Sequence, residues 1–212
     1  SARYDTDQMT AFGVFGWTSS SFTVTDHFTK YNSAVHKSSW QSSGDGGALM
    51  LTNNGLTGTQ LKMGARYFMS SDMSVFANFG SINKVPILDQ AIDDEDYAIM
   101  ESPVQENFTS LEVGTRASLM NNQMTVNAVW YNSTWADRQA RKYAQNAEGQ
   151  SIVAQLEGLD QLHTGIELEV AYQPMPMMRV DAALGIGNWT YTSDVKAKYE
   201  DYDGGSRQTK EA

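Results

Sequence analysis

The chain has 212 residues, 41% of them hydrophobic and only 19% charged, with a formal charge of −10 and no cysteine. The acidity and the lack of a Lys/Arg cluster argue against nucleic acid as a partner. The missing cysteines remove disulfides, thiolate metal sites and cysteine nucleophiles together. No run approaches the roughly 18 apolar residues of a membrane-spanning helix. The opening "SARYDTDQ" has neither the basic nor the apolar region of a signal peptide, so a secreted precursor is expected to begin upstream of Ser1.

Period-two alternation predicts eight strands, near residues 9–18, 21–32, 58–70, 72–81, 108–120, 123–136, 161–173 and 177–191. The first two are expected to turn at Ser19-Ser20, which would oppose Trp17 to Phe22 and Phe15 to Val24. The second two turn at residues 70–72, opposing Met69 to Met73, Tyr67 to Val75 and Ala65 to Ala77, with Lys62, Gly64 and Arg66 on the other face.

In "SLEVGTRASLMNNQMTVNAVWYNSTW" a two-residue turn at Asn121-Asn122 sets Leu119 against Met124, Ala117 against Val126 and Val113 against Trp130. The other face then pairs Ser118 with Thr125, Arg116 with Asn127 and Glu112 with Tyr131. Asn tolerates the positive φ that such turns need. In the last pair, Leu162, Ile166, Leu168, Val170 and Tyr172 share a face with Met178, Val180, Ala182, Leu184 and Ile186. His163, Glu167, Glu169, Arg179 and Asp181 share the other, and the Pro174-Met175-Pro176 turn admits several registers.

Short connections alternate with long ones, about 33–57, 82–107, 137–160 and 192–212. Compact soluble domains seldom hold several structureless loops above about 12–15 residues. Most of the strands reach the roughly 9–11 residues that a tilted strand needs to cross a bilayer. Aromatics (Trp17, Tyr67, Trp130, Tyr172, Trp189, Tyr191) stand near strand ends, where an interfacial girdle would lie. The expected fold is therefore all-β, an antiparallel up-and-down transmembrane β-barrel. Its lumen would be lined by Arg66, Glu112, Arg116, His163, Glu167, Glu169, Arg179 and Asp181. A soluble β-sandwich, with a second sheet covering the apolar faces, is the alternative that alternation alone leaves open.

The succession "SVFANFGSINKVPILDQAI", "SLEVGTRASLMNNQMTVNAVWYNSTWADR" and "GLDQLHTGIELEVAYQP" resembles TonB-dependent outer-membrane receptors of Bacteroidetes-like bacteria. The matching elements are Phe76, Asn78 and Gly80; Pro86; Glu112 and Gly114; Tyr131, Ser133, Trp135, Asp137 and Arg138; and His163, Gly165, Glu167 and Glu169. The resemblance covers residues 60–192, with a looser match before about residue 50.

The resemblance implies an internal segment, residues 1–212, giving about eight strands of a 22-stranded barrel in the bacterial outer membrane. A plug domain, the C-terminal strands and the TonB box would lie elsewhere. The implied function is uptake of a scarce nutrient such as a siderophore, haem, cobalamin or an oligosaccharide. The implied partners are outer-membrane lipid, the remaining strands, the plug, TonB through the plug, and the nutrient itself. Neither a cofactor nor a metal site is expected.

At the barrel mouth, Trp135, Arg138, Arg141 and Tyr143 suit contact with an anionic or sugar-like ligand. The run Asp93 to Asp96 lacks the spacing of an EF-hand loop and reads as a solvated loop. No local Ser-His-Asp arrangement is visible, so an enzyme is not expected. A complete eight-stranded barrel, structural or with a rim activity near His36 and His163, is the alternative to a receptor segment.

Overall fold

The computed structural model describes residues 1–30, 40–42, 48–93, 98–99, 103–145, 149, 151–203 and 206–211. These form β1 (Ala2–Asp5), β2 (Met9–Lys30), β3 (Trp40–Ser42), β4 (Ala48–Phe68), β5 (Met73–Asn83), the single-turn helix α1 (Leu88–Ala91), β6 (Ile92–Asp93), β7 (Ala98–Ile99), β8 (Asn107–Leu119), β9 (Met124–Gln145), β10 (Ser151–Met175), β11 (Met178–Tyr191), β12 (Lys196–Asp203) and β13 (Ser206–Glu211). The fold is all-β. Eight strands, β1, β2, β4, β5, β8, β9, β10 and β11, run up and down in chain order through one antiparallel sheet. No helix among the described residues is long and apolar enough to cross a membrane, a fact without bearing on strands.

These eight differ from the expected eight at the N-terminus. Residues 9–18 and 21–32 are not a hairpin, because β2 runs unbroken through Ser19-Ser20 for 22 residues. Neither serine takes a positive φ, and the flanking Thr, Phe and Val residues favour continued extension. The missing strand is β1, joined to β2 by a turn at Thr6-Asp7-Gln8. There Thr6 N donates to Met9 O at 2.8 Å and Met9 N to Thr6 Oγ1 at 2.9 Å.

With that change the alternation of short and long connections persists only in part, because β9 and β10 are joined by residues 146–150 and β11 and β12 by residues 192–195. Short turns fall at 6–8, 69–72, 120–123 and 176–177. Backbone bonds at that end of the sheet link each strand to the next turn: Phe68 N to Gln8 O, Ser118 N to Asp72 O and Gln173 N to Gln123 O, at 2.7–2.8 Å.

The other connections are less loop-like than expected. β9 and β10 stay paired as far as Gln145 and Ser151, so much of 137–160 is a strand extension. Neither "RQARKYAQ" nor "SIVAQLE" contains a Gly or Pro to interrupt the ladder. Residues 196–211 likewise form the β12–β13 hairpin. The segment 33–57 lies partly outside the described residues, as do His36, Asp94, Glu95 and Asp96.

The Asn121-Asn122 register holds at every position from Leu119–Met124 to Asn107–Ala136. Both asparagines take positive φ, 54° and 67°, and Met120 joins them at 54°. The β10–β11 register, which the Pro-Met-Pro turn left undetermined, pairs Ile166 with Ile186 and Leu168 with Leu184. It shifts once, between Tyr172 and Met175.

The contacts divide the chain into two units, Ser1–Phe15 with Gln60–Ile82 and Asn107–Ala212, and Gly16–Thr59 with Asn83–Glu106. In the second unit Leu51, Leu56 and Ala91 are buried, with Phe22, Val24 and Val85 packed against them. Asn53 Nδ2 donates to Ala91 O at 2.7 Å, Gln105 Nε2 to Thr57 O at 2.6 Å, and Lys84 pairs with Glu106 at 3.3 Å.

The first unit is organised by sheet faces instead. On one face the rows Leu119–Met124–Tyr172–Val180, Ala117–Val126–Val170–Ala182, Thr115–Ala128–Leu168–Leu184 and Val113–Trp130–Ile166–Ile186 cross β8 to β11. One member is polar, and the Thr115 hydroxyl is satisfied by Ser74 O at 3.0 Å. None of these side chains is buried, and several stand open: Ile166 and Leu184 are each 58% exposed and Ile186 is 69%. The band ends toward the long connections, where Asn132, Thr164 and Asn188 form the next row but one strand.

Candidate functional site

The opposite face of the same four strands carries the polar rows. From the short-turn end they are Ser118–Thr125–Ala171–Asp181, Arg116–Asn127–Glu169–Ala183, Gly114–Val129–Glu167–Gly185, Glu112–Tyr131–Gly165–Gly187, Ser110–Ser133–His163–Trp189 and Phe108–Trp135–Gln161–Tyr191. Every expected lumen residue on these strands stands on this face. Trp189 and Tyr191 do too, opposite His163 and Gln161, so they are not part of an apolar-face girdle. Both fall on odd positions of β11, in step with Arg179 and Asp181, and that parity was already readable.

Aromatic rings lie over glycines on this face. A Cβ on Gly114 would meet Phe76 Cζ at 2.5 Å, and one on Gly165 would meet Tyr131 Oη at 2.6 Å. Glycine is needed there for space, because the neighbouring ring occupies the volume a side chain would take.

A cleft of about 590 Å³ opens among Arg3, Arg66, Arg116, Asn78, Glu167 and Glu169, with Phe12, Phe68 and Phe76 in its wall. A second, of about 550 Å³, shares Arg116 and Glu169 and adds Arg179 and Asp181. Arg66 Nε donates to Ser74 Oγ at 2.9 Å and its guanidinium lies 4.9 Å from the Phe68 ring centre. Glu112 accepts from Asn78 at 3.3 Å and Glu169 from Asn127 at 3.3 Å. Arg179 and Asp181 form an exposed ion pair at 2.8 Å, and Arg3 and Asp5 another at 2.7 Å. Charges of both signs are thus met by neighbours two residues or one strand away, as a water-facing surface permits.

Toward the long connections the face changes character. Arg138 lies 4.3 Å from the Trp135 ring centre and donates to Gln161 Oε1 at 3.4 Å. Phe108 meets Trp135 edge-on, with centroids 6.1 Å apart. Gln161 Oε1 also bonds His163 Nε2 at 3.2 Å, and His163 stacks on Trp189 at 5.8 Å. Trp189 Nε1 donates to Tyr131 Oη at 3.1 Å.

Of the four residues expected at the mouth, Trp135 and Arg138 are therefore together. Tyr143 is exposed farther along β9, opposite Val153. Arg141 pairs with Gln155 through the backbone, and its side chain lies outside the described part. Phe108, Gln161 and Tyr131 are additions to that group. Gln161 has no local motif to mark it; it opposes Trp135 in the same register that sets His163 opposite Ser133, and only Leu159–Arg138 departs from that register.

Among the described residues no group of three or more His, Cys, Asp or Glu is placed to hold a metal ion. Comparison of the chain with protein-family models, with curated proteins and with solved structures finds no match in any of the three.

Proposed function

We propose that this chain is part of the wall of an outer-membrane β-barrel, a TonB-dependent receptor that takes up a scarce nutrient. The observation that carries this reading is the two-faced character of β8 to β11. An apolar band open on one side backs onto a face carrying Glu112, Arg116, Glu167, Glu169, Arg179 and Asp181. A soluble protein rarely leaves a contiguous apolar face of this extent uncovered. Hydrocarbon would cover it at no cost, whereas Arg or Lys turned toward lipid at the midplane would cost about 2–4 kcal/mol. No charged residue stands in the four apolar rows.

A β-sandwich would need a second sheet over Trp130 and Ile166, and their exposure on the inner strands β9 and β10 counts against it. A complete eight-stranded barrel would need β1 to pair with β11. Among the described residues β11 pairs only with β10, which favours a larger wall continued by other strands. In that setting the charged rows face the lumen and the plug, with coupling to TonB passing through the plug. The short turns point to the periplasm, and Trp135 and Arg138 stand toward the outer mouth.

Fractionation of the longer precursor that carries these 212 residues tests this. It is expected in the outer-membrane fraction, extractable only with detergent; a stable monomer in detergent-free buffer would overturn it.

A further inference from the structure

Period-two alternation decides which face a side chain takes, but it leaves register open in steps of two. A slip of one residue throws every side chain to the wrong face, whereas a slip of two keeps both faces pure. Moving β10 two places along β9 would still oppose Ala128 to Ile166 or Val170, and Val126 to Leu168 or Tyr172. Where a tight turn joins two strands, the turn removes that freedom. This covers β1 with β2, β4 with β5, β8 with β9 and β10 with β11. The pairs between these hairpins have no such help. β2 reaches β4 through residues 31–47, and β5 reaches β8 through residues 84–106. β9 and β10 are joined at residues 146–150, far along both strands from Tyr131, and Leu159–Arg138 falls out of step on the way.

In each of these pairs a ring of the earlier strand occupies the space over a glycine of the later one. A Cβ on Gly64 of β4 would meet Phe12 Cε1 of β2 at 2.6 Å, one on Gly114 of β8 would meet Phe76 Cζ of β5 at 2.5 Å, and one on Gly165 of β10 would meet Tyr131 Oη of β9 at 2.6 Å. Gly13, Gly80 and Gly185, by contrast, have no heavy atom within 4 Å of that position. The residues two places to either side of the ringed glycines are bulky or charged: Lys62 and Arg66 about Gly64, Glu112 and Arg116 about Gly114, His163 and Glu167 about Gly165. A slip of two in either direction therefore drives such a side chain into the ring. Gly80 and Gly185 lack these flanks, standing between Asn78 and Ile82 and between Ala183 and Gly187.

We infer that the ring-over-glycine seats are register keys, which select one pairing from the even-numbered slips that the two faces tolerate. Tight turns set register within a hairpin, and the seats set it between hairpins. Tyr131 extends its seat to a third strand, since its hydroxyl would lie 2.7 Å from a Cβ on Gly187 of β11 and accepts from Trp189 Nε1 at 3.1 Å. The inference goes beyond the receptor reading and needs only the sheet, whether lipid or protein covers the apolar rows.

Cross-linking reads the register directly. In the longer precursor that carries these 212 residues, held in detergent micelles, cysteines at Asn127 and Glu169 report the observed pairing, and cysteines at Asn127 and Ala171 report a slip of two. Each disulfide is identified by peptide mass after digestion. Without further change the first should form and the second stay near background, because residues one slip apart lie about 7–8 Å from each other, beyond the span of a disulfide. Tyr131→Ala is expected to raise the second at least severalfold, and Tyr131→Phe, which keeps the ring, to leave it low. Gly165→Glu combined with Glu167→Gly moves the glycine two places, and is expected to raise the Ala171 disulfide by about tenfold, the scale of relieving a misplaced side chain. Cysteines at Arg116 and Val129, a slip of two across the Asn121-Asn122 turn, should stay unlinked in every background.

The Glu169 disulfide alone, in Tyr131→Ala or in the exchanged chain, would overturn the inference. So would an exchanged chain that forms neither disulfide, because its composition, faces and turns are unaltered. Where Tyr131→Ala forms neither, the exchanged chain decides alone.

Discussion

The two units of this chain treat apolar side chains in opposite ways. In Gly16–Thr59 with Asn83–Glu106, Leu51 is fully buried and Leu56 and Ala91 close around it, a small core of the ordinary soluble kind. In β8 to β11 the rows through Val113, Trp130, Ile166 and Ile186 are as apolar, yet their side chains stand open. Strand sequences of similar composition therefore need different surroundings. One set is covered within the chain, and the other is left open among the described residues.

The largest expected effect sharpens the first half of that contrast. Leu51→Ala should destabilise the second unit by about 2–5 kcal/mol, the cost of a cavity in a packed site. Hydrogen exchange should quicken across residues 48–58 while β8 to β11 keep their protection.

The other half can be broken by Ile166→Arg, expected to cost about 2–4 kcal/mol in urea unfolding from lipid vesicles. Glu167→Arg, one residue along on the opposite face, should change stability far less. Equal effects would remove the distinction between the faces.

Smaller effects test what holds the sheet in register. Gly165→Val should cost about 1–3 kcal/mol, since a side chain there must displace the Tyr131 hydroxyl and approach Ile186 O. Asn122→Val should cost roughly 1–2 kcal/mol, because a β-branched residue resists a φ of 67°. The β8–β9 chemical shifts should report loosening confined to the turn.

Much of this was legible beforehand for a simple reason: side chains alternate with period two. Once Asn121-Asn122 set one turn, every pair from Leu119–Met124 to Glu112–Tyr131 followed. Failures came where no residue type enforces a turn. Ser19-Ser20 are as content in an extended strand as in a bend, so β2 passes through them, whereas Thr6 can close a turn with its own hydroxyl. The continuation of β9 and β10 beyond residue 137 was hidden by a polar composition that suits a loop and a water-facing ribbon equally.

At the candidate site, Trp135 and Arg138 were readable as two of four residues at the mouth, and the structure brings these two together, both half-buried. Their link to Gln161, His163 and Trp189 crosses three strands and joins residues too far apart in sequence for a local motif to mark.

The most direct test concerns what touches the open apolar rows. The chain has no cysteine, so single cysteines at 166, 167, 168 and 169 can carry nitroxide labels without background in vesicle-reconstituted protein. Collisions with oxygen should dominate at 166 and 168, and collisions with a water-soluble nickel chelate at 167 and 169. Nickel-chelate access at all four positions would contradict the lipid-facing wall.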